Sequence, residues 1–297
     1  MTQDYIDIVR VDEMAARLGF AEQMAVPLSN LSKDFRDFRM EREDAPVFRY
    51  IYRNLRPARH LEFGTWEGFG VVLCASECQA EVWTINAPTG EVEEGTTAPV
   101  YVRKFSRDER RPAGAVAIQE DAEGSTYQTD TGAFVGRLYR DAGYGARVHQ
   151  ILCDSREWDT SAFRRGFFDS VLIDGGHTPD VVKSDTDKAL PLLRPRGICL
   201  WHDFCPDPDV LRNLPASRGV VRAIVDNIST WKPHLSDLFW VWPTFILVGV
   251  RAPHLEASRL GLGSVPLERR RRLGSKRRAR TRELKQGLYS HYRSKLC

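Results

Sequence analysis

From Arg59 onward, short apolar runs alternate with stretches whose apolar residues fall three and four apart. The runs are Arg59–Phe63, Val82–Ile85, Val148–Leu152, Phe168–Ile173 and Ile198–Trp201. Short runs with little polar alternation suit strands buried on both faces of a parallel sheet. The stretches near Val71–Glu77, Phe134–Ala142, Ser155–Arg165 and Val181–Leu193 predict helices. Strand and helix in alternation give a parallel sheet with helices on both faces. Leu238–Trp242 and Thr244–Val250 are also strand-like, and only Pro243 separates them. A parallel crossover needs about a dozen residues or more, so this pair predicts an antiparallel hairpin.

The flanks follow other patterns. Residues 1–56 predict a mostly helical cap, with helical spacing over Val11–Phe20 and Ala45–Leu55. Asp44 stands as a plausible N-cap, with Pro46 just behind it. Residues 87–131 are rich in Gly, Glu, Thr and Pro and show weak periodicity. They predict a long loop or lid at the carboxyl edge of the sheet, where open α/β folds bind ligands. The expected organisation is a cap over 1–56, a central domain over 57–252 with that insertion, and a basic extension over 253–297.

Charge sharpens the last boundary. Val265–Cys297 carries 12 Lys/Arg against 2 Asp/Glu, whereas the whole chain is only +3. The body is therefore mildly acidic and the tail strongly basic. The tail has too few apolar residues for a core of its own. It predicts a solvated extension, with nucleic acid or an anionic surface as the other reading. No apolar run approaches the roughly 20 residues of a membrane span, and the first ten residues lack a signal-like apolar segment. A cytoplasmic protein with reduced thiols is the expectation. Oligomeric state is not legible; a homo-oligomer is compatible with everything above.

Two segments carry candidate chemistry. In His60-Leu61-Glu62-Phe63-Gly64-Thr65-Trp66-Glu67-Gly68, a strand ends in an acid, and glycines follow two and six residues later. The first glycine permits a sharp turn and close approach. The second opens a helix whose N–H groups face the same side. Glu62 could hold a cationic ligand. The spacing is not that of the dinucleotide fingerprint, which disfavours a nicotinamide cofactor. In Phe168-Asp169-Ser170-Val171-Leu172-Ile173-Asp174-Gly175-Gly176-His177, a strand ends at Asp174 and a Gly-Gly turn presents His177. The next strand ends at His202-Asp203. In a doubly wound sheet both acid–histidine pairs reach one crevice. Asp174 could alternatively cap a helix, and His202 could orient Asp203.

Together these segments resemble class I S-adenosylmethionine-dependent methyltransferases, and more closely the bacterial small-molecule O-methyltransferases of the macrolide-sugar type. The similarity spans about residues 44–250. It implies a Rossmann-like, doubly wound, mostly parallel sheet of seven strands. It implies that Glu62, Gly64, Thr65 and Gly68 line the methionine end of the cofactor. Asn86 stands where an acid usually takes the ribose hydroxyls. Asp154 and Ser155 match the pair that meets the adenine, with Trp158 nearby. Asp174 would serve both cofactor and chemistry. Asp174, His202 and Asp203 match positions that hold a divalent cation in some relatives, here Mg²⁺. His177 matches a proposed general base, and an imidazole with an unperturbed pKa of about 6.5 suits that task. The expected acceptor is a small, polar or sugar-like molecule; nucleic acid or protein acceptors, or a catalytically inactive binding module, are the alternatives.

Overall fold

A computed structural model of the chain describes residues 6–22, 24, 43–87, 101–106, 116–121, 124–129 and 134–253. In chain order the strands are β1 (Asp7–Arg10), β2 (Arg59–Phe63), β3 (Glu81–Asn86), β4 (Tyr101–Ser106), β5 (Val116–Asp121), β6 (Gly124–Thr129), β7 (Val148–Leu152), β8 (Phe168–Ile173), β9 (Leu193–Trp201), β10 (Leu235–Trp242) and β11 (Ile246–Arg251). The helices are α1 (Met14–Leu18), α2 (Ala45–Leu55), α3 (Phe69–Ala75), α4 (Arg137–Asp141), α5 (Pro179–Leu192), α6 (Pro208–Asn213) and α7 (Pro215–Trp231).

The main sheet runs β1-β10-β11-β9-β8-β2-β3-β7. All neighbours are parallel except β11, which is antiparallel to β10 and β9. Strand order reverses between β2 and β8, and the ends of these two central strands meet at a topological switch point. This is the Rossmann-like doubly wound arrangement, with the expected hairpin at its end.

Both faces of the central strands are covered, as their short apolar runs require. On one face Leu61, Phe63, Val171, Ile173 and Trp201 pack with Val182, Ala189, Val220 and Ile224 from α5 and α7. On the other, Val82, Leu172, Leu200 and Val248 pack with Val47, Ile51, Val71 and Leu73 from α2 and α3. The odd–even alternation along β2 thus sends Leu61 and Phe63 to one helical layer and His60 and Glu62 to the other.

The structure departs from the sequence reading in four places. The sheet has an eighth strand, because β1 lies parallel to β10 within what reads as a helical cap. Four residues are too few to show a period, and their partner lies more than 200 residues away. The 87–131 insertion contains a three-stranded antiparallel sheet, β4-β6-β5, rather than a plain loop. Ser155–Arg165 forms turns and no helix. Asp154 and Asp159 each accept the backbone N–H two residues on, which competes with helix formation. Trp158 and Phe163 meanwhile satisfy their apolar spacing in an aromatic cluster with Phe63 and Phe168. Finally, α7 is a 17-residue amphipathic helix that the alternation upstream did not include. The basic segment from Val265 lies outside the described residues.

Candidate functional site at the carboxyl edge

The glycine turn after β2 is shaped by its neighbour β8. Gly64 has φ +97, and its N–H donates to the Ile85 carbonyl at 2.8 Å. A side chain at this position would collide with the Asp174 carbonyl. Phe63 in turn accepts the Asp174 N–H at 2.8 Å, and Ile173 accepts the His202 N–H at 3.1 Å. Gly64, Asp174 and His202 are therefore stitched side by side along one edge. Gly68 also has positive φ, and a Cβ there would press on Tyr139 and Gly136 of the α4 turn. Gly64 thus lets backbone meet backbone at the switch point, and Gly68 lets the α4 turn pack close.

Around this turn sit the other residues expected at the cofactor. Thr65 is buried, with its hydroxyl 2.7 Å from that of Thr84 and 2.9 Å from the amide of Gln150. Asn86 ends β3. Its Oδ1 accepts the Trp66 N–H at 2.8 Å, and its Nδ2 donates to the Ala87 carbonyl at 2.8 Å. It therefore anchors the turn at Trp66, a non-glycine residue with φ +42. Asp154 ends β7 and is held below its ordinary carboxylate range by hydrogen bonds from Arg156. Ser155 follows it, and its carbonyl accepts from Lys188.

Glu62 differs from its expected setting. It is 1% exposed and lies beneath α3, where a Cβ on Gly70 would overlap its carboxyl. Burial pushes its carboxyl well above the usual range, and the nearby Asp174 adds to this. Its carboxyl is enclosed within the protein, where burial favours the protonated form.

The acid–histidine side is a connected network. His177 Nε2 lies 2.9 Å from Asp203 Oδ2. His202 Nδ1 lies 2.8 Å from Asp174 Oδ1 and 3.6 Å from Asp203 Oδ2. His202 Nε2 lies 3.0 Å from Asp44 Oδ2. Asp44 also accepts the Phe245 N–H at 3.2 Å. Burial alone would lower the His202 pKa, but Asp174, Asp203 and Asp44 raise it well above its ordinary value. Burial alone would raise the Asp203 carboxyl, whereas His202 and His177 pull it below the usual range. Asp203 itself sits at φ +56, a strained setting for an aspartate.

Asp44 is the member of this network that the sequence reading missed. As an N-cap it should accept a hydrogen bond from the first turn of α2, yet its side chain makes none. It turns instead to His202 and β11. No local pattern signals a partner 158 positions away.

The donors can be tested against each expected group. Gly64, Asn86 and Asp154 end or follow the adjacent strands β2, β3 and β7, giving a row with an amide for hydroxyls and a carboxylate for an amino group. This fits S-adenosylmethionine. Mg²⁺ fits less well. It prefers oxygen ligands in an octahedron, but both His202 nitrogens already face carboxylates. Among the described residues the side chains that converge within reach of one ion are Asp174, His177 and Asp203. There a metal would take the very histidine expected to act as base. No helix among the described residues is long and apolar enough to cross a membrane.

Residues 61–204 match the family model described as a methyltransferase domain. Among solved structures the chain is similar to a methyltransferase from Podospora anserina bound to S-adenosylhomocysteine, at 18% identity and a TM-score of 0.44, covering 72% of this chain and 79% of that one. It is also similar to an O-methyltransferase from Streptomyces achromogenes in complex with S-adenosylmethionine, at 13% identity and a TM-score of 0.43, covering 82% and 88%. No curated protein matches the chain.

Proposed function

We infer that this chain, which over residues 61–204 belongs to a methyltransferase family of the S-adenosylmethionine-dependent class, methylates an oxygen of a small polar acceptor. The observation that carries the reading is the 2.9 Å contact between His177 and the buried carboxylate of Asp203, on the same edge as Gly64 and Asp174. Bound S-adenosylmethionine supplies a methyl group already activated by its sulfonium. The protein must then align the acceptor and remove its proton.

His177 is suited to the proton step. With Nε2–H donated to Asp203, the lone pair of the neutral ring lies on Nδ1, the atom that takes the acceptor's proton. Asp203 fixes the tautomer and stabilises the imidazolium that forms, the role a carboxylate plays behind many catalytic histidines. Asp203 is buried while His177 is about one-third exposed, so the base reaches solvent and its partner does not. Positioning of the two reactants contributes several kcal/mol, and general-base help about 10²–10⁴-fold.

Support for a small acceptor is chemical: one edge joins a cofactor row to a single histidine base. The test is formation of S-adenosylhomocysteine and a methylated product from a panel of hydroxylated small molecules. His177→Ala should lower kcat by about 10²–10⁴-fold while leaving cofactor Kd within about threefold. A variant that turns over at the parent rate would remove His177 from the mechanism.

A further inference from the structure

Two thiols meet at the end of α3. The helical turn runs on past Ala75: the Ser76 N–H donates to the Val72 carbonyl at 3.0 Å, and the Cys78 N–H to the Cys74 carbonyl at 3.2 Å. Residues four apart on such a turn are neighbours on one face. The sulfurs of Cys74 and Cys78 accordingly stand 3.8 Å apart. The Cys78 sulfur also lies 3.3 Å from the Cys74 carbonyl, which holds it over its partner. The two settings are unlike. Cys74 is buried in the layer shared by α2 and α3, whereas Cys78 is half-buried. Arg147 donates to the carbonyls of Ala75, Cys78 and Ala80 at 3.0–3.2 Å, which brings its guanidinium onto this turn. The acid next to Cys78, Glu77, is engaged by Arg49 and Arg53. A hydrogen bond from the Cys74 thiol, with help from the Ala80 backbone and Arg147, brings the Cys78 thiol down to about 7 against its burial. Burial pushes the Cys74 thiol well up. A thiol that titrates near ambient pH is the best placed to attack a disulfide, and a buried one beside it is inert until a partner arrives.

We propose that Cys74 and Cys78 form a thiol–disulfide exchange site, in which Cys78 attacks a small-molecule disulfide and Cys74 resolves the product into a bond within the chain. Cys78, as thiolate, bonds to one sulfur of the small disulfide. That S–S bond breaks, and the second sulfur leaves as a thiolate that takes up the proton Cys78 gave off. Cys74 then loses its proton and attacks the Cys78 sulfur, releasing the other half of the small molecule as a thiol. Two protein thiols are oxidised to one disulfide, and one small disulfide is reduced to two thiols. Cβ atoms four apart on a helix lie about 5–6 Å from each other, whereas a disulfide holds them at about 3.5–4.5 Å. Closing the bond must therefore tighten the turn after α3. A disulfide under such strain is readily reduced, so this is a site of reversible modification. The exchange is independent of methyl transfer, and no acceptor is needed to test it.

The probe is glutathione disulfide, added to the full-length folded protein at neutral pH. Remaining thiols are trapped by alkylation, and the protein is cut with trypsin. Arg59 and Arg103 are the flanking cleavage points, so both cysteines fall in one peptide, 60–103. Mass spectrometry should find that peptide unalkylated and two hydrogens lighter, and excess glutathione should restore both thiols without denaturant. Cys74→Ala should stop at the first step, with one glutathione on Cys78. Cys78→Ser should leave Cys74 reacting at least about tenfold more slowly than Cys78 does, as expected of a buried thiol. A peptide still alkylated at both positions after treatment of the wild type would overturn the exchange site. So would a bond that forms only in urea, or glutathione reaching Cys74 in Cys78→Ser as fast as it reaches Cys78.

Discussion

The glycine edge at β2, β3 and β7 and the acid–histidine edge at β8 and β9 are neighbours, yet they are built by opposite means. The first is made of backbone. Gly64 lies against the Asp174 carbonyl, and the Trp66 backbone N–H donates to the Asn86 side-chain Oδ1. The second is made of side chains from distant parts of the chain: Asp44, Asp174, His177, His202 and Asp203. Backbone contacts constrain which residue types fit, whereas side-chain ion pairs constrain charge. The glycine edge should therefore answer to changes of shape and affect binding. The acid–histidine edge should answer to changes of charge and affect turnover.

The largest break in this comparison is Gly64→Val. A β-branched residue at φ +97 is strained, and its Cβ would overlap the Asp174 carbonyl. Cofactor affinity should fall by more than about 100-fold, or the central strands should separate and the protein lose its cooperative unfolding transition. Calorimetry with S-adenosylhomocysteine, alongside thermal melting, reads both. Normal binding by a folded variant would show that the turn does not form the pocket.

A second effect lies at the seam. Asp185 on α5, near Ser155 and Lys188, is 1% exposed, and neither of its oxygens has a hydrogen-bond partner. Burial pushes its carboxyl up to about 7. An unfolded aspartate titrates near 3.9. Between those values the folded chain keeps a proton that the unfolded chain loses. Stability conferred by this site is thus greatest at low pH and declines as pH rises from about 4 to about 7, a loss on the order of 4 kcal/mol. Asp185→Asn cannot ionise, so its unfolding free energy in urea should lose that slope between about pH 4 and 7. Parallel profiles for the two proteins would mean that Asp185 is already solvated.

The comparison also explains what the sequence disclosed. The switch-point strands were legible because Leu61 and Phe63 of β2 and Val171–Ile173 of β8 form short apolar runs, and Gly64, Asp174 and His177 follow these strands, as Asp203 follows β9, within a few residues. Short-range spacing places such residues on one edge once the sheet is parallel. Asp44 was legible only as a helix cap, because its partners His202 and Phe245 are 158 and 201 positions away. β1 was hidden for the same reason. Glu62 was legible as a candidate cofactor contact, whereas its burial beneath α3, close to Gly70, is something strand periodicity does not report. The turns at Asp154 and Asp159 were misread because their carboxylates accept the Arg156 and Ser161 backbone N–H groups, a local competition with helix that the apolar pattern does not report.

The smallest predicted effect tests the division most directly. Asn86 carries two 2.8 Å hydrogen bonds, one from the Trp66 N–H in the glycine turn and one to the carbonyl of its own neighbour Ala87, and it sits at the end of β3 rather than on the acid–histidine edge. A hydrogen bond of this kind contributes about 1 kcal/mol net, which corresponds to a little under tenfold in affinity. Asn86→Ala should therefore weaken S-adenosylhomocysteine binding about tenfold, because the strained Trp66 turn loses its anchor. The proton step, which runs through His177 and Asp203 on other strands, should keep its kcat within about twofold at saturating cofactor. Asn86→Asp retains an acceptor for Trp66 but sets an anion against the Ala87 carbonyl, so its affinity should fall between the two. If Asn86→Ala instead lowered kcat more than tenfold with Kd unchanged, the two edges would be coupled, and backbone shape at β3 would be part of the chemistry rather than of binding alone.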